Sequence, residues 1–134
     1  MAASERKLIY FDENLSWKIS VEVGARGYQT SSASKVGFEG KLDQALLAQL
    51  PGVFDEFVLL TGDEAMPLVH ASHVKRHGTT IAVVSGSAKR SGVPPNQWNR
   101  DTIHRWAHRI ATQEDGTIRR YSPTRTTLWT PRRS

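Results

Sequence analysis

The sequence predicts an α/β domain with a mainly parallel central sheet and helices on both faces, a three-layer α/β/α sandwich. Three observations predict it. Short apolar runs alternate along the chain with segments whose apolar residues recur at three- and four-residue spacing. Glycine and Pro-Gly signals separate the two kinds of segment. Two of the apolar runs lead directly into acidic pairs, at the strand ends where open parallel sheets place their working sites. At 134 residues the chain is long enough for one domain and one moderate core.

Lys7 to Phe11 reads as a buried strand that stops at Asp12-Glu13-Asn14. Asn14 is placed to cap a helix in which Leu15, Ile19 and Val23 share a face, with Gly27 as its C′ residue. Tyr28 to Ser34 is a weak, polar second strand. Lys41 to Leu50 repeats apolar residues at helical spacing, and Pro51-Gly52 is expected to end that helix. Phe57 to Leu60 is the clearest strand, apolar throughout, running into Thr61-Gly62-Asp63-Glu64. Pro67 suits the first turn of a helix reaching about Arg76, and Thr79 to Val84 is a β-branched strand. Residues 85–97 read as a linker. Ile103, Trp106, Ala107, Ile110 and Ala111 then form an amphipathic stripe whose outer face carries His104, Arg105, His108 and Arg109. Two β-like pieces follow, near Ile118 and Leu128-Trp129. The expected core spans about residues 7–84 of a single domain, with a basic helix and extension over 85–134.

Charge is unevenly placed. Residues 1–70 carry six basic and ten acidic side chains, whereas residues 71–134 carry twelve basic and three acidic. The basic half suits a polyanion. No apolar run is long enough to span a membrane, and the polar start Met1–Lys7 carries no signal-peptide pattern. The absence of cysteine excludes disulfides, thiolate metal sites and a cysteine nucleophile, and fits a reducing, cytoplasmic setting.

Asp12-Glu13 and Asp63-Glu64 follow strands that topology directs to one edge, and Asp43 opens the middle helix. Converging carboxylates repel one another unless a cation neutralises them, and a hard divalent ion, Mg²⁺ or Mn²⁺, suits an all-oxygen donor set. Such a site can activate water for phosphoryl displacement. A strand-end carboxylate can equally cap the next helix.

Leu8-Ile-Tyr-Phe-Asp12-Glu13-Asn14-Leu15 resembles the opening of compact PIN-like domains, of the Asp-Glu-Asn-Leu subgroup. Gly27-Tyr28, Leu42-Asp43-Gln44-Ala45-Leu46-Leu47 and Phe57-Val-Leu-Leu-Thr61-Gly62-Asp63 are similar to that family's later motifs, in order, over roughly residues 7–84. The resemblance implies a metal-dependent ribonuclease of the VapC type, often the toxin of a toxin–antitoxin pair. It assigns Asp12, Asp43 and Asp63 as catalytic and metal-binding acids, with Glu13 and Glu64 as further ligands. It implies RNA as substrate, an inhibitory antitoxin partner and, in some cases, a homodimer. Where the family often has a further acid beyond Asp63, this chain has Ala65.

Other candidates are less specific. His70, His73 and His77 lie near one helical face but lack a His-Glu-x-x-His pattern for zinc. Ser85 to Lys89 has no Gly-Lys-Ser/Thr ending and so is no phosphate loop. Arg119, Arg120, Arg125, Arg132 and Arg133, interleaved with Tyr121 and Trp129, suit RNA phosphates and exposed bases, with Arg105 and Arg109 beside them on the late helix. Two other functions fit parts of the pattern. One is a non-catalytic RNA- or protein-binding domain with a degraded site. The other is a signalling receiver domain, in which Asp12-Glu13, Asp63, Ser85 and Lys89 take the conserved places.

Overall fold

The computed structural model describes residues 6–85 and 92–129. Its elements in chain order are β1 (Leu8–Phe11), α1 (Trp17–Ala25), β2 (Thr30–Ser32), α2 (Ala33–Val36), α3 (Asp43–Val53), β3 (Phe57–Thr61), α4 (Met66–Val69), α5 (Ala71–His77), β4 (Ile81–Val84), α6 (Pro95–Ala111), β5 (Ile118–Tyr121) and β6 (Thr126–Leu128). The six strands form one sheet in the order β2-β1-β3-β4-β5-β6, parallel except for the β5–β6 pair. The chain steps from β1 outward to β2, then back across to β3. The direction of winding therefore reverses between β1 and β3, and the crevice of an open α/β sheet lies at such a reversal.

The continuous apolar runs are explained by burial on both faces. Ile9, Phe11, Val58, Leu60, Ala82 and Val84 meet a core shared with Ile19 and Val23 of α1 and with Ile103, Ala107 and Ile110 of α6. The alternate residues Tyr10, Leu59, Ile81 and Val83 meet Leu46, Leu47 and Leu50 of α3, Met66 of α4 and Val74 of α5. The core and sheet continue past residue 84. β5 pairs with β4 from Ile81↔Ile118 to Val84↔Tyr121, and the backbone N–H of Lys7 donates to Ala111 at the end of α6.

Several boundaries differ from those expected. Ser16, not Asn14, caps α1, its Oγ accepting from the Lys18 N–H. Asn14 is drawn away by partners on β3, described below. α3 runs through Pro51 to Val53, because the Phe54 N–H still closes on the Leu50 carbonyl and keeps the last turn intact. The helix expected from Pro67 to Arg76 is two pieces that meet at His70, whose backbone leaves the helical region (φ −110°, ψ 31°). The weak second strand shrinks to Thr30–Ser32, since Ser32 turns to cap α2. Within the expected linker, residues 86–91, which include Lys89, lie outside the described residues; so do Arg132 and Arg133.

The seam between α1 and α6 is polar. Arg100 Nε donates to both Glu22 oxygens (2.9 and 3.1 Å), and these bonds, with His104, hold the Glu22 carboxyl below its usual range. Arg26 donates to His104 Nδ1, so Nε2 carries the hydrogen and donates to Glu22 at 2.9 Å.

A buried polar knot ties α6 to the sheet. Tyr121 donates from its hydroxyl to Gln113 Oε1 (2.9 Å), and Gln113 Nε2 donates to the carbonyls of Ile81 (2.8 Å) and Thr117 (3.0 Å). Gln113→Leu should destabilise the fold by about 1–3 kcal/mol for each group left unpaired, measured by chemical denaturation. Tyr121→Phe should cost less, and the double variant less than the sum. Burial pushes the Tyr121 phenol from 10.0 up to about 12. The unfolded chain therefore releases this proton first, and stability falls as pH rises from about 10 towards 12, by roughly 2–3 kcal/mol. Denaturation midpoints of Tyr121→Phe should fall less steeply across that window than those of the wild type.

Candidate functional site

β1 and β3 are register-paired with Phe11 opposite Leu60, so both chains leave the sheet side by side. Asp12 follows immediately and is 7% exposed. Its Oδ1 accepts from the Glu13 N–H at 2.9 Å, and its Oδ2 accepts from the Thr61 hydroxyl at 3.0 Å. Thr61 is fully buried, and its Oγ1 accepts in turn from Asn14 Nδ2 (3.0 Å) and the Asp63 N–H (3.1 Å). Asn14 completes the link through Oδ1, which accepts from the Gly62 N–H at 2.9 Å. A Cβ on Gly62 would lie 3.3 Å from Leu15 Cδ2 and 3.4 Å from Asn14 Oδ1, so the close crossing of the two loops favours glycine there.

Burial pushes the Asp12 carboxyl above its ordinary value. The Thr61 and Glu13 hydrogen bonds oppose that rise, while the negative charges of Asp43 and Glu13 reinforce it. Asp12 is thus a desolvated carboxylate facing two further carboxylates, the situation a cation relieves. Asp43 stands in the first turn of α3 with Oδ2 3.3 Å from His70 Nε2. Glu13 is exposed and accepts from the Gly40 N–H with both oxygens (3.2 and 3.0 Å), which pins the loop before α3 over the edge.

Asp63 and Glu64 share this edge, and the Asp63 N–H joins it to the buried carboxylate through Thr61 Oγ1. Both are exposed, and Asp63 Oδ1 accepts from the Ala65 N–H at 3.0 Å, a turn-closing bond ahead of α4. Among the described residues, no three His, Asp or Glu side chains are grouped closely enough to hold a metal ion. His70 pairs with Asp43, with the His73 ring 6.4 Å from its own. A small cleft of about 50 Å³ opens at Asp12, bordered by Glu13, Trp17, Ser32, Ser34 and Glu39.

The candidate RNA-binding arginines divide between the two faces of the sheet. Arg109 and Arg119 line one cleft of about 290 Å³ beside α6, together with Glu114. Arg105 is held nearby, donating to the Pro123 carbonyl at 2.7 Å. Arg120, the next residue along β5, points to the opposite face and stacks its guanidinium 4.0 Å from the Trp129 ring centre. Arg125 is exposed in the turn between β5 and β6.

Sequence reasoning missed Thr61 and Asn14 as partners of Asp12, and Trp17 as part of its cleft. The position of Thr61 as last residue of a strand beside Asp12 was a usable signal. The bond from Asn14 to β3 had none, because Asn before a helix ordinarily reads as a cap.

Because burial favours the protonated form of Asp12, its ionisation weakens the fold, and this penalty is absent below the carboxyl's unfolded value of 3.8. Asp12→Asn should therefore raise the melting temperature at pH 7 in EDTA. The gain should shrink as pH falls towards 4, checked by circular dichroism melts of both proteins.

Compared with known proteins, the chain matches no family model, no curated protein and no solved structure.

Proposed function

We propose that the chain is a Mg²⁺-dependent endoribonuclease of the PIN-like class, hydrolysing RNA phosphodiesters at the edge occupied by Asp12. The observation that carries this reading is Asp12 itself: a buried carboxylate at the winding reversal, raised by desolvation and facing the charges of Asp43 and Glu13. The donor set is oxygen-only, which suits Mg²⁺ or Mn²⁺. Mg²⁺ is commonly held by one or two carboxylates, with waters and substrate phosphates filling the remaining positions, so Asp12 and Asp43 suffice as protein ligands. When bound, the ion supplies charge neutralisation for in-line displacement at phosphorus.

The chain's own residues do the positioning. Thr61 and the Glu13 N–H fix the Asp12 carboxylate, and His70 stands against Asp43. The Glu13–Gly40 bonds set the rim of the cleft. Arg109 and Arg119 stand at the other end of the strands, where α6 finishes beside Lys7, and would meet the RNA backbone away from Asp12. The resemblance extends the proposal to a cytoplasmic toxin held inactive by an antitoxin. A small DNA-binding protein encoded in the adjoining reading frame is its expected partner.

A second reading is a binding domain of the same fold with a degraded site, supported by Ala65 and by Asp63, which is exposed and gives Oδ1 to the next turn. A receiver domain shares the strand order 2-1-3-4-5. Yet its phosphoacceptor place at the end of β3 is taken by Thr61, and β5 leads into Ser122-Pro123-Thr124 rather than a lysine.

RNA cleavage should require Mg²⁺ or Mn²⁺, stop in EDTA and be abolished in Asp12→Asn. Asp43→Asn should lower it far more than Asp63→Asn, since Asp43 and not Asp63 bears on Asp12. Metal at one hundred times its Kd should stabilise the fold by about 2.7 kcal/mol, a melting shift of several degrees that Asp43→Asn diminishes. Absence of both cleavage and a metal-induced shift in the wild type would favour the binding-domain reading.

A further inference from the structure

The amino ends of β3 and β4 carry a cleft of about 190 Å³ that the edge at Asp12 does not use. It lies at the opposite end of the parallel strands, since Asp55-Glu56 precede β3, Thr79-Thr80 precede β4 and Asp115 precedes β5. Pro51, near the end of α3, and Phe57 give it an apolar part, and His77 stands at its border. No described lysine or arginine lines it. In a chain of net charge +5 this is a locally acidic place.

One of its acids is already partnered: Asp115 Oδ1 stands 3.3 Å from the Lys7 ammonium. The exposed carboxylates of Asp55 and Glu56 make no hydrogen bond or ion pair among the described residues. An acidic rim by itself is an ordinary solvated surface. Thr79 sets this one apart. It lines the cleft, is only 4% exposed, and its hydroxyl is buried without a hydrogen-bond partner. Its neighbour Thr80 is engaged, with Oγ1 accepting from the Gly116 N–H at 2.9 Å. An unpaired buried hydroxyl weakens a fold, so its presence beside two unpaired carboxylates points to a group that arrives from outside.

Two carboxylates and a hydroxyl oxygen together accept N–H donors. A metal ion does not suit them, because no three His, Asp or Glu side chains among the described residues are close enough to share one. A guanidinium does. It is wide and planar, its five N–H groups reach separate acceptors, and its methylene stem can lie along Phe57 and Pro51. The cleft is smaller than the roughly 300–1,000 Å³ that encloses a small-molecule ligand, and it matches a single long side chain. We propose that this cleft is a docking socket for an arginine side chain of a partner protein, with Asp55 and Glu56 pairing the guanidinium and Thr79 Oγ1 accepting from one of its N–H groups. The socket is independent of the chemistry at Asp12, and a partner seated there leaves that edge open.

Amide chemical shifts of the full chain are followed by NMR as N-acetyl-arginine amide is added, with its lysine and citrulline analogues and free arginine in parallel titrations. The arginine amide should move the amides of Glu56, Phe57 and Thr79 saturably and leave those of Asp12 and Glu13 in place. The citrulline analogue, similar in shape but uncharged, should bind about tenfold more weakly, and the lysine analogue, which lacks the planar fork, about threefold. Asp55→Asn and Glu56→Gln should each weaken binding about fivefold. Thr79→Val should weaken it about threefold without lowering the melting temperature, because it removes a hydroxyl that the fold does not use. Free arginine, whose own carboxylate the cleft repels, should bind more weakly than the amide. Shifts that do not saturate, or that survive both acid substitutions, would overturn the socket. Free arginine binding as tightly as the amide would make the ligand a free amino acid and overturn the protein partner. Self-association of the wild type that Glu56→Gln abolishes would make the occupant a second copy of this chain and overturn a separate partner.

Discussion

The parallel register of β1 against β3 governs the acidic edge. Phe11 opposite Leu60 brings the residues just beyond them, Asp12 and Thr61, within one hydrogen bond of each other. Side chains alternate along a strand, so a slip of one residue would send Asp12 to the α1–α6 face and Phe11 towards α3. That slip would exchange the β1 residues packed against α1 and α6 with those packed on the α3 face, and neither core is shaped for the other set. The two cores therefore protect the site's geometry without touching its chemistry. Asn14 and Gly62 reinforce the arrangement by joining the loops after β1 and β3 directly.

The edge is built from unequal carboxylates. Asp12 is buried and held by neighbours that accept its charge only in part, Asp43 is paired with His70, and Glu13 serves the loop at Gly40. Asp63 lies near in sequence to Thr61 but spends its oxygen on the next turn. Of the four, Asp12 alone is buried, and its carboxyl is raised by that burial.

The alternating α/β order and the central strands were legible because strands buried on both faces leave continuous apolar runs, as in Phe57 to Leu60 and Ile81 to Val84. The stripe of α6 was legible for the same reason: Ile103, Ala107, Ile110 and Ala111 are all buried. Asp12 was placed by its position after β1. The bonds that Asp43 and Asp63 make were not, since a place at a helix start or after a strand fixes where the backbone runs and says nothing of which way a short side chain turns. The Arg119-Arg120 pair read as one basic patch, yet period-two alternation sends its members to opposite faces. The break at His70 and the passage of α3 through Pro51 were invisible because each depends on local closure of one hydrogen bond rather than on composition.

The backbone bond from Lys7 to Ala111 has a consequence for how the chain is made. Beside it the Lys7 ammonium donates to the Gln113 carbonyl, 106 residues away in sequence. β1 sits inside the sheet, yet its flank is sealed only when the end of α6 arrives. During synthesis the first strand emerges early and must wait for β3, then for α6 and β5, before its second face is covered. Contacts of such long separation are slow to form, because loop closure precedes any reward from them. A nascent chain of this protein therefore carries an incompletely covered apolar strand until the segment that forms α6 and β5 leaves the ribosome, the interval in which a holding chaperone has most to bind.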